Sequence, residues 1–485
     1  MCVINSSSFT NHTVHFNEEL IPMNTPAHAK SSSFSLFITF FAAIGGILYG
    51  YDIGIINGAL LYIEHDINMS ATETSLIVAA VLGGGALSTL VTGYLADRFG
   101  RKNMMITAVI IFLVGVAFLA TANNYDLLLM GRVIQGIGVG IITIIIPLYL
   151  SEVAPKHLRG RGVCSFQVLL TAGILLANVI AYFFAKAGIS WHMMFLSSGI
   201  PAVILGIGLL FLPKSPRWLV FKGNIKQARH SLEQVYSKES ASQELDLICN
   251  SHKKSGSASI GALFQRKFIY PLMLVFGVAI LNQLTGINTI LQFSATILKG
   301  AGLHSDLSAI SGSIWITVVN FIITIIAMLL VDKVGRKPLL SIGTAGVAIA
   351  LVLSGFAFIY LPEGMTKGII IGIGLHLYIL FFAIGPGVVV WIVLSELLPN
   401  SIRSIGMAIA LSLNSLASTV LASSFLPLVN HIGYGGIFIM CGLFTVIYFY
   451  LAYFKMPESK GKSLEEIESS YSENGPSLTA QQAST

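Results

Sequence analysis

Long apolar segments recur along this chain and limit the folds open to it. Each run has about 18–25 residues, the length that an α-helix needs to cross the hydrocarbon core of a bilayer. Continuous runs of this kind argue against a transmembrane barrel, whose strands are short and alternate between apolar and polar residues. We predict twelve membrane-spanning helices, at 34–58, 74–96, 103–121, 127–150, 163–185, 190–212, 268–298, 308–331, 338–360, 368–394, 402–428 and 433–455.

The composition supports an integral membrane protein. Hydrophobic residues make up 54% of the 485 positions and charged residues only 10%, far less charge than a soluble protein carries on its surface. The four cysteines are scattered without a CxxC pair, and the eleven histidines show no metal-ligand spacing. We therefore expect no metal, no cofactor and no enzyme site.

Basic residues are concentrated in alternate loops, which predicts the topology. The loops after odd-numbered spans carry only Lys186, Lys299 and Lys367, whereas those after even-numbered spans hold most of the Arg and Lys. The positive-inside rule then places both termini in the cytoplasm, so the net charge of +6 indicates topology rather than nucleic-acid binding. We predict five regions: an N-terminal tail (1–33), a six-helix bundle (34–212), a cytoplasmic linker with short helices (213–267), a second six-helix bundle (268–456) and a partly disordered tail (457–485).

Two internal repeats relate the halves of the chain. "DRFGRK" (97–102) and "DKVGRK" (332–337) each follow the second span of a half, and "SEVAPKHLR" (151–159) and "SELLPNSIR" (395–403) each follow the fourth. These matched positions predict an all-α membrane protein of two pseudo-symmetric bundles. Transporters of this construction hold substrate between the halves near the middle of the membrane and expose it to each side in turn.

Among Asp, Glu, Lys and Arg, only Asp52 and Arg132 lie well inside the predicted spans. Asp52 lies about six residues before the outer end of span 1 and Arg132 about five residues after the outer start of span 4, so a rise of 1.5 Å per residue puts them at similar depth. Charges inside a membrane are costly and indicate a functional pair. If the distance between them changes during transport, the carboxylate can bind a proton in one state and release it in another. The alternative is a static ion pair that only fixes helix packing.

Several motifs in this chain resemble those of one transporter family. "DRFGRK" resembles the signature loop of the major facilitator superfamily, and the motifs that follow resemble its sugar porter branch: "GRVIQGIGVG" (131–140), "PKSPRWLV" (213–220), "NQLTGIN" (282–288), "DKVGRKPL" (332–339) and "PESKGKSLEEIE" (457–468). The resemblance covers about residues 34 to 468 and is strongest to bacterial D-xylose– and galactose–proton symporters. It implies the major facilitator fold, sugar substrates, alternating access and a proton-coupling role for Asp52 with Arg132.

The resemblance also implies an uncharged sugar site. Amide side chains suit a sugar because each can both donate to and accept from a hydroxyl. The positions that match sugar-contacting residues are Gln167, Asn282, Gln283, Asn288, Asn320, Trp391 and Asn414. On a regular helix Gln283 and Asn288 would point about 140° apart, so we expect a local break near Gly286 to bring them together.

Three positions depart from the family pattern. Ser415 stands where a tryptophan is usual, and Gln292 and Phe293 replace a usual pair of tyrosines. Loss of an indole removes a packing surface and enlarges the pocket. The substrate could therefore be a different pentose, a hexose or a polyol.

Acidic and basic residues alternate at the inner ends of the spans in both repeats. We predict that they form a salt-bridge network that closes an inner gate when the carrier faces outward: Asp97, Arg98, Arg101, Glu152, Arg159, Arg161, Asp332, Arg336, Glu396 and Arg403. A role as topology signals would explain the basic residues but not Glu152 and Glu396 at repeated positions.

Taken together, the sequence predicts a proton-coupled importer of a monosaccharide or polyol. We expect a monomer in the cell membrane, most simply a bacterial inner membrane. A passive uniporter, a sugar sensor that no longer transports and an efflux carrier remain as alternatives.

Overall fold

The computed structural model describes residues 32–153, 156–254, 263, 265–303, 305–399 and 402–461. The elements formed by these residues are all helices. Most of both predicted tails, and the end of the predicted linker around 255–262, lie outside the described residues.

The first half contains the six predicted spans. They are formed by seven helices: α1 (Ser32–Asp66), α2 (Ala71–Phe99), α3 (Arg101–Ala120), α4 (Tyr125–Val153), α5 (Lys156–Lys186), and the consecutive α6 (Trp191–Ser197) and α7 (Gly199–Phe211). The first span was predicted to end at 58, but α1 continues to Asp66. A capping box then starts α2, because the Ser70 side chain accepts from the Glu73 amide while the Glu73 carboxylate accepts from the Ser70 amide.

Three short helices follow the first half, as the sequence predicted. They are α8 (Pro216–Phe221), α9 (Ile225–Val235) and α10 (Lys238–Lys254). Helix α9 is amphipathic and buries Ala228, Leu232 and Val235 on one face. The three helices pack against one another.

The second half repeats the pattern with more interruptions. Its helices are α11 (Arg266–Leu284), α12 (Ile287–Gln292), α13 (Ser294–Gly300), α14 (Asp306–Val334), α15 (Arg336–Tyr360), α16 (Met365–Ile384), α17 (Pro386–Glu396) and α18 (Arg403–Tyr450), followed by a π-helical turn (Leu451–Lys455). The predicted seventh span is thus divided among three helices, and the tenth between α16 and α17 at Gly385.

The last two predicted spans both lie in α18, which consists of two helices that meet at a kink. The backbone departs from helical angles at Gly433 (φ 69°). Gly433 therefore divides α18 close to the boundary between the two predicted spans. The described residues contain eleven helical segments long and apolar enough to span a membrane, and division of the last one at Gly433 gives the twelve that were predicted.

The two halves meet through two symmetry-related pairs of helices. Helix α2 packs against α18, and α5 packs against α14. Helices α2 and α14 both precede a D-x-x-G-R-K loop, while α5 and the first part of α18 both follow the second repeat. One contact is therefore the counterpart of the other under the internal repeat.

A row of glycines brings α1 against α5. Glycine recurs at every fourth residue from 46 to 58. A Cβ atom at Gly50 would overlap the carbonyl oxygen of Leu170, and one at Gly54 would lie 2.6 Å from the carbonyl oxygen of Ile174. Small residues at this spacing let two membrane helices approach closely. This row was not among the features predicted from the sequence, although its four-residue spacing is visible there.

Candidate functional site

A cavity of about 100 Å³ lies between the two halves. Its lining comes from α1, α2, α4 and α5 of the first half and from α11, α12, α14, α16, α17 and α18 of the second. All seven residues predicted to contact sugar line it: Gln167, Asn282, Gln283, Asn288, Asn320, Trp391 and Asn414. The structure therefore brings the whole predicted set to one place.

The break near Gly286 joins the two amides that a straight helix would separate. Helix α11 ends at Leu284, Gly286 has φ 88°, and α12 starts at Ile287. Glycine adopts this left-handed backbone without steric cost. The Asn288 Nδ2 atom donates to Gln283 Oε1 at 3.0 Å, so the predicted break and its consequence are confirmed.

Hydrogen bonds between side chains hold these amides in fixed orientations. Gln283 Nε2 donates to Asn414 Oδ1 at 3.1 Å, and Asn414 Nδ2 donates to the Ala279 carbonyl at 2.9 Å. Asn288 Nδ2 also donates to Ser418 Oγ at 3.0 Å. The Oδ1 atom of Asn282 is buried with no hydrogen-bond partner among the described residues. This acceptor could be satisfied by a hydroxyl donor in the cavity.

The remaining predicted contacts approach from other helices. Trp391 is half-buried on α17, and Gln167 is the one predicted contact that the first half supplies. Thr171 was not predicted from the sequence, but it follows Gln167 by one helical turn and also lines the cavity. Tyr49 of α1 was missed as well.

The three departures from the family pattern lie in different places. Ser415 lines the cavity beside Asn414. Gln292 and Phe293 are not among its lining residues; Phe293 stacks on Phe425 with ring centroids 4.8 Å apart. Gln292 is fully buried, and neither of its amide atoms has a partner in the described part of the chain. Of these three residues, only Ser415 lines the cavity in this conformation.

Asp52 and Arg132 form the ion pair that the sequence predicted. Arg132 Nη1 lies 2.8 Å from Asp52 Oδ1, and both side chains are 0% exposed. The Arg132 guanidinium carbon lies 5.7 Å from the centre of the Phe195 ring, and Nε contacts the Ile77 carbonyl at 3.4 Å. The second oxygen of Asp52 has no partner among the described residues. This oxygen therefore keeps an unused acceptor position.

Helix α1 connects this pair to the cavity. Asp52 does not line the cavity, but Tyr49 and Ile53 on the same helix do. Asp52 instead points toward α4, where Arg132 lies. A movement of α1 against α4 would therefore change both the ion pair and the cavity wall.

A charged cluster lies at the end of the first half that the sequence predicts to face the cytoplasm, which we call the inner end. Arg101 lies 2.9 Å from both Asp97 and Glu152. The Ser215 hydroxyl donates to the other oxygen of Glu152 at 2.5 Å. The loop before α8 is thereby tied to α3 and α4.

The second half has a matching cluster. Arg336 lies 3.1 Å from Asp332 and 3.3 Å from Glu396, and the Ser459 hydroxyl donates to Glu396 at 2.6 Å. The two serines belong to a third internal repeat, P-x-S at 213–215 and 457–459.

Among the described side chains, the ion pairs of the predicted gate stay within their own halves. Arg101 pairs with Asp97 and Glu152 in the first half, and Arg336 pairs with Asp332 and Glu396 in the second. Arg98 lies over the Phe99 ring at 5.4 Å, and Arg403 donates to the Leu398 carbonyl. The side chains of Arg159 and Arg161 lie outside the described residues. A gate network across the halves stays a prediction for another conformation.

The outer end, opposite these clusters, is where the halves are bonded. Asn57 Oδ1 accepts from Ser294 Oγ at 3.1 Å and from the Ala295 amide at 2.8 Å, both in the second half. Asn57 Nδ2 donates to Asn178 Oδ1 at 2.7 Å within the first half. The bonds of Asn57 to Ser294 and Ala295 therefore join the two halves at the outer end. Asn57 was not predicted from the sequence.

Comparison with known proteins agrees with this geometry. The family model "Sugar (and other) transporter" matches residues 38–471. The D-xylose transporter of Levilactobacillus brevis is 34% identical over 89% of this chain and 94% of its own length. The human proton myo-inositol cotransporter is 32% identical over 91% of this chain and 82% of its own length.

Solved structures show the same fold. The proton:xylose symporter XylE, solved with 6-bromo-6-deoxy-D-glucose, superposes with a TM-score of 0.76 at 30% identity, covering 91% of this chain and 99% of its own. The prediction of a major facilitator fold is confirmed, as is the prediction of a carrier rather than an enzyme. The chain is a multi-pass membrane transporter that belongs to the sugar porter family of the major facilitator superfamily.

Proposed function

We propose that this protein imports a monosaccharide or polyol by proton symport, with alternating access. The observation that carries the proposal is the fully buried Asp52–Arg132 pair beside a cavity lined by amides. A solvent-free ion pair in a membrane is expensive to maintain, which favours a role in transport over a purely structural one. We place the carrier in a cell membrane with both termini in the cytoplasm, in line with the charge of its loops.

The proposed sugar contacts and the proposed proton-coupling pair lie in different halves of the protein. Six of the seven amide and indole contacts come from the second half, whereas the ion pair lies entirely in the first. The second half would therefore hold the sugar and the first half the proton. Helix α1 links them, because it carries Asp52 toward α4 and Tyr49 and Ile53 toward the cavity.

Proton coupling follows from the competition between burial and pairing at Asp52. In the present conformation Arg132 stabilises the carboxylate, which favours release of a proton. When the outer end opens, movement of α1 lengthens the distance to Arg132, and burial then favours the protonated acid. The proton adds to Oδ2, the oxygen without a partner here, and leaves when the pair forms again. Arg132 keeps its charge throughout.

The cavity favours a small polyhydroxylated substrate. Its amides offer both donors and acceptors, and Trp391 offers an apolar face. Ser415 replaces a larger ring at the wall and leaves room for a substituent of a hexose or a cyclic polyol.

Transport in proteoliposomes tests the proposal. The purified carrier is reconstituted, an inward proton gradient is imposed, and uptake of labelled pentoses, hexoses and inositols is measured. We expect accumulation of at least one of them above equilibrium, and its loss when a protonophore is added. Uptake that is equal with and without the gradient would establish a uniporter instead.

Asp52→Asn tests the residue assignment. The amide is similar in size but cannot release a proton, so we expect uphill accumulation to be lost while exchange of labelled for unlabelled sugar continues. Asp126→Asn, at an exposed site in the first turn of α4, is the matched control and should accumulate sugar normally. Uphill uptake retained by Asp52→Asn would move the coupling site elsewhere.

A further inference from the structure

A glutamine lies one helical turn from the coupling arginine, deep in an apolar segment. Gln135 is 0% exposed, and its Oε1 accepts from Arg132 Nη1 at 3.1 Å. The same nitrogen donates to Asp52 at 2.8 Å. Residues three apart on a helix share a face, so both contacts can form at once. The nitrogen that binds the carboxylate therefore has a second, neutral acceptor within reach.

The surroundings fix which way this amide points. Gln135 Nε2 donates to Ser198 Oγ at 3.5 Å, at the junction of α6 and α7. The Ser198 hydroxyl uses its own hydrogen to reach the Phe195 carbonyl at 2.6 Å, so toward the amide it acts as the acceptor. This orientation turns Oε1 toward Arg132. On the opposite side Gly115 leaves space, because a Cβ there would lie 2.8 Å from Gln135 Cγ.

The amide matters most when Asp52 is protonated. Arg132 then loses its anionic partner while it stays charged, and an uncompensated buried charge strongly opposes protonation. A carbonyl oxygen that still accepts from Nη1 lowers the free energy of that state. The Ile77 carbonyl and the Phe195 ring hold other parts of the guanidinium but do not reach Nη1 in this structure.

Few other groups near the pair can change charge. The titratable residues around it, among those described, are Tyr49 and Tyr51 on α1. Helix α2 contributes a carbonyl, α6 a phenyl ring and the Ser197 hydroxyl, and the α6–α7 junction the Ser198 hydroxyl. Gln135 is the neutral acceptor placed on the nitrogen that Asp52 shares.

We propose that Gln135 is a positioning residue of the proton-coupling site. It holds Arg132 when Asp52 takes up its proton and so sets the proton concentration at which transport is driven. This inference rests on the proposed function, in which Asp52 binds the coupled proton.

The test is the pH profile of uptake for Gln135→Met. Methionine has a similar length and shape but offers no strong acceptor, so the protonated state of Asp52 loses stability. We expect half-maximal gradient-driven uptake to require about tenfold more protons, a shift of one pH unit or about 1.4 kcal/mol. The KM for sugar in exchange at acidic pH should stay close to that of the wild type, because Gln135 does not line the cavity.

Two further variants complete the test. Thr92→Val removes another buried polar side chain, one that bonds only to the Ser88 carbonyl of its own helix, and should leave the profile unchanged. Ser198→Ala removes the hydroxyl that accepts from the Gln135 amide and changes no residue of α4. It should shift the pH profile of uptake in the same direction as Gln135→Met but by less. If Gln135→Met does not fold, the pH profile of Ser198→Ala tests the positioning role alone.

The outcomes separate this inference from the function on which it rests. If sugar uptake by the wild type does not depend on the proton gradient, proton symport itself is refuted. A wild type that responds to pH, with profiles of Gln135→Met and Ser198→Ala that superpose on it, would refute only the positioning role.

Discussion

Asn57 should control how firmly the outer end closes. Its Oδ1 accepts two hydrogen bonds from the second half, at 3.1 Å from Ser294 Oγ and 2.8 Å from the Ala295 amide. A typical buried hydrogen bond contributes about 0.5–1.5 kcal/mol to stability. Asn57→Ala should therefore weaken outer closure by about 1–3 kcal/mol, which shifts the ratio of closed to open carriers about 5- to 150-fold toward open.

Pulsed EPR between spin labels at Asn68 and Ser305 measures this shift. Both positions are exposed and follow or precede helices on opposite halves at the outer end. The native cysteines are first replaced, and distance distributions are recorded in nanodiscs without sugar. The wild type should show mainly a short distance, and Asn57→Ala should add a longer component.

A second substitution in the same network serves as the control. Asn178→Ala removes the 2.7 Å bond that stays within the first half but leaves both bonds across the halves. It should therefore lengthen the distances much less than Asn57→Ala. Distributions for Asn57→Ala that match the wild type, in a protein that folds normally, would refute the view that this amide holds the halves together.

Two other substitutions give independent predictions. Asn288→Ala removes a cavity amide and its bonds to Gln283 and Ser418, so the KM for sugar should rise at least about tenfold with little change in proton dependence, as measured by initial uptake rates; an unchanged KM would exclude Asn288 from the sugar site. Gln292→Leu replaces a buried amide that has no partner in the described part of the chain, and each such polar atom costs about 1–3 kcal/mol. When it is added to Asn57→Ala, the longer EPR component should shrink, whereas a longer component that stays or grows would show that Gln292 finds partners when the outer end is closed.

The spans and the internal repeat could be predicted from the sequence because both depend on local patterns of residues. Apolar runs identify helices wherever they fold, and the matched D-x-x-G-R-K loops identify the two halves. The end of α1 was harder to place, since the helix continues past residue 58 through Glu64 and His65 to Asp66. A fall in hydrophobicity marks where a segment leaves the membrane, not where its helix ends. The kink at Gly433, in contrast, lies close to the predicted boundary between the last two spans.

Features of the site could be predicted where they depend on residues of a single segment. The break at Gly286 followed from two amides that a straight helix would separate. Contacts between distant segments were not predictable in the same way. Asn57 meets Ser294, which is 237 residues away, and Gln135 meets Ser198 through the packing of α4 against the α6–α7 junction. Their importance depends on partners that only the folded chain brings close.

The central claim is that each sugar crosses together with a proton bound at Asp52. The most direct measurement records the internal pH of proteoliposomes with a trapped dye while sugar is added outside, with no proton gradient imposed. The account predicts sugar-driven acidification of the interior by the wild type and none by Asp52→Asn, although both exchange sugar. Sugar entry without any change of internal pH in the wild type would contradict it.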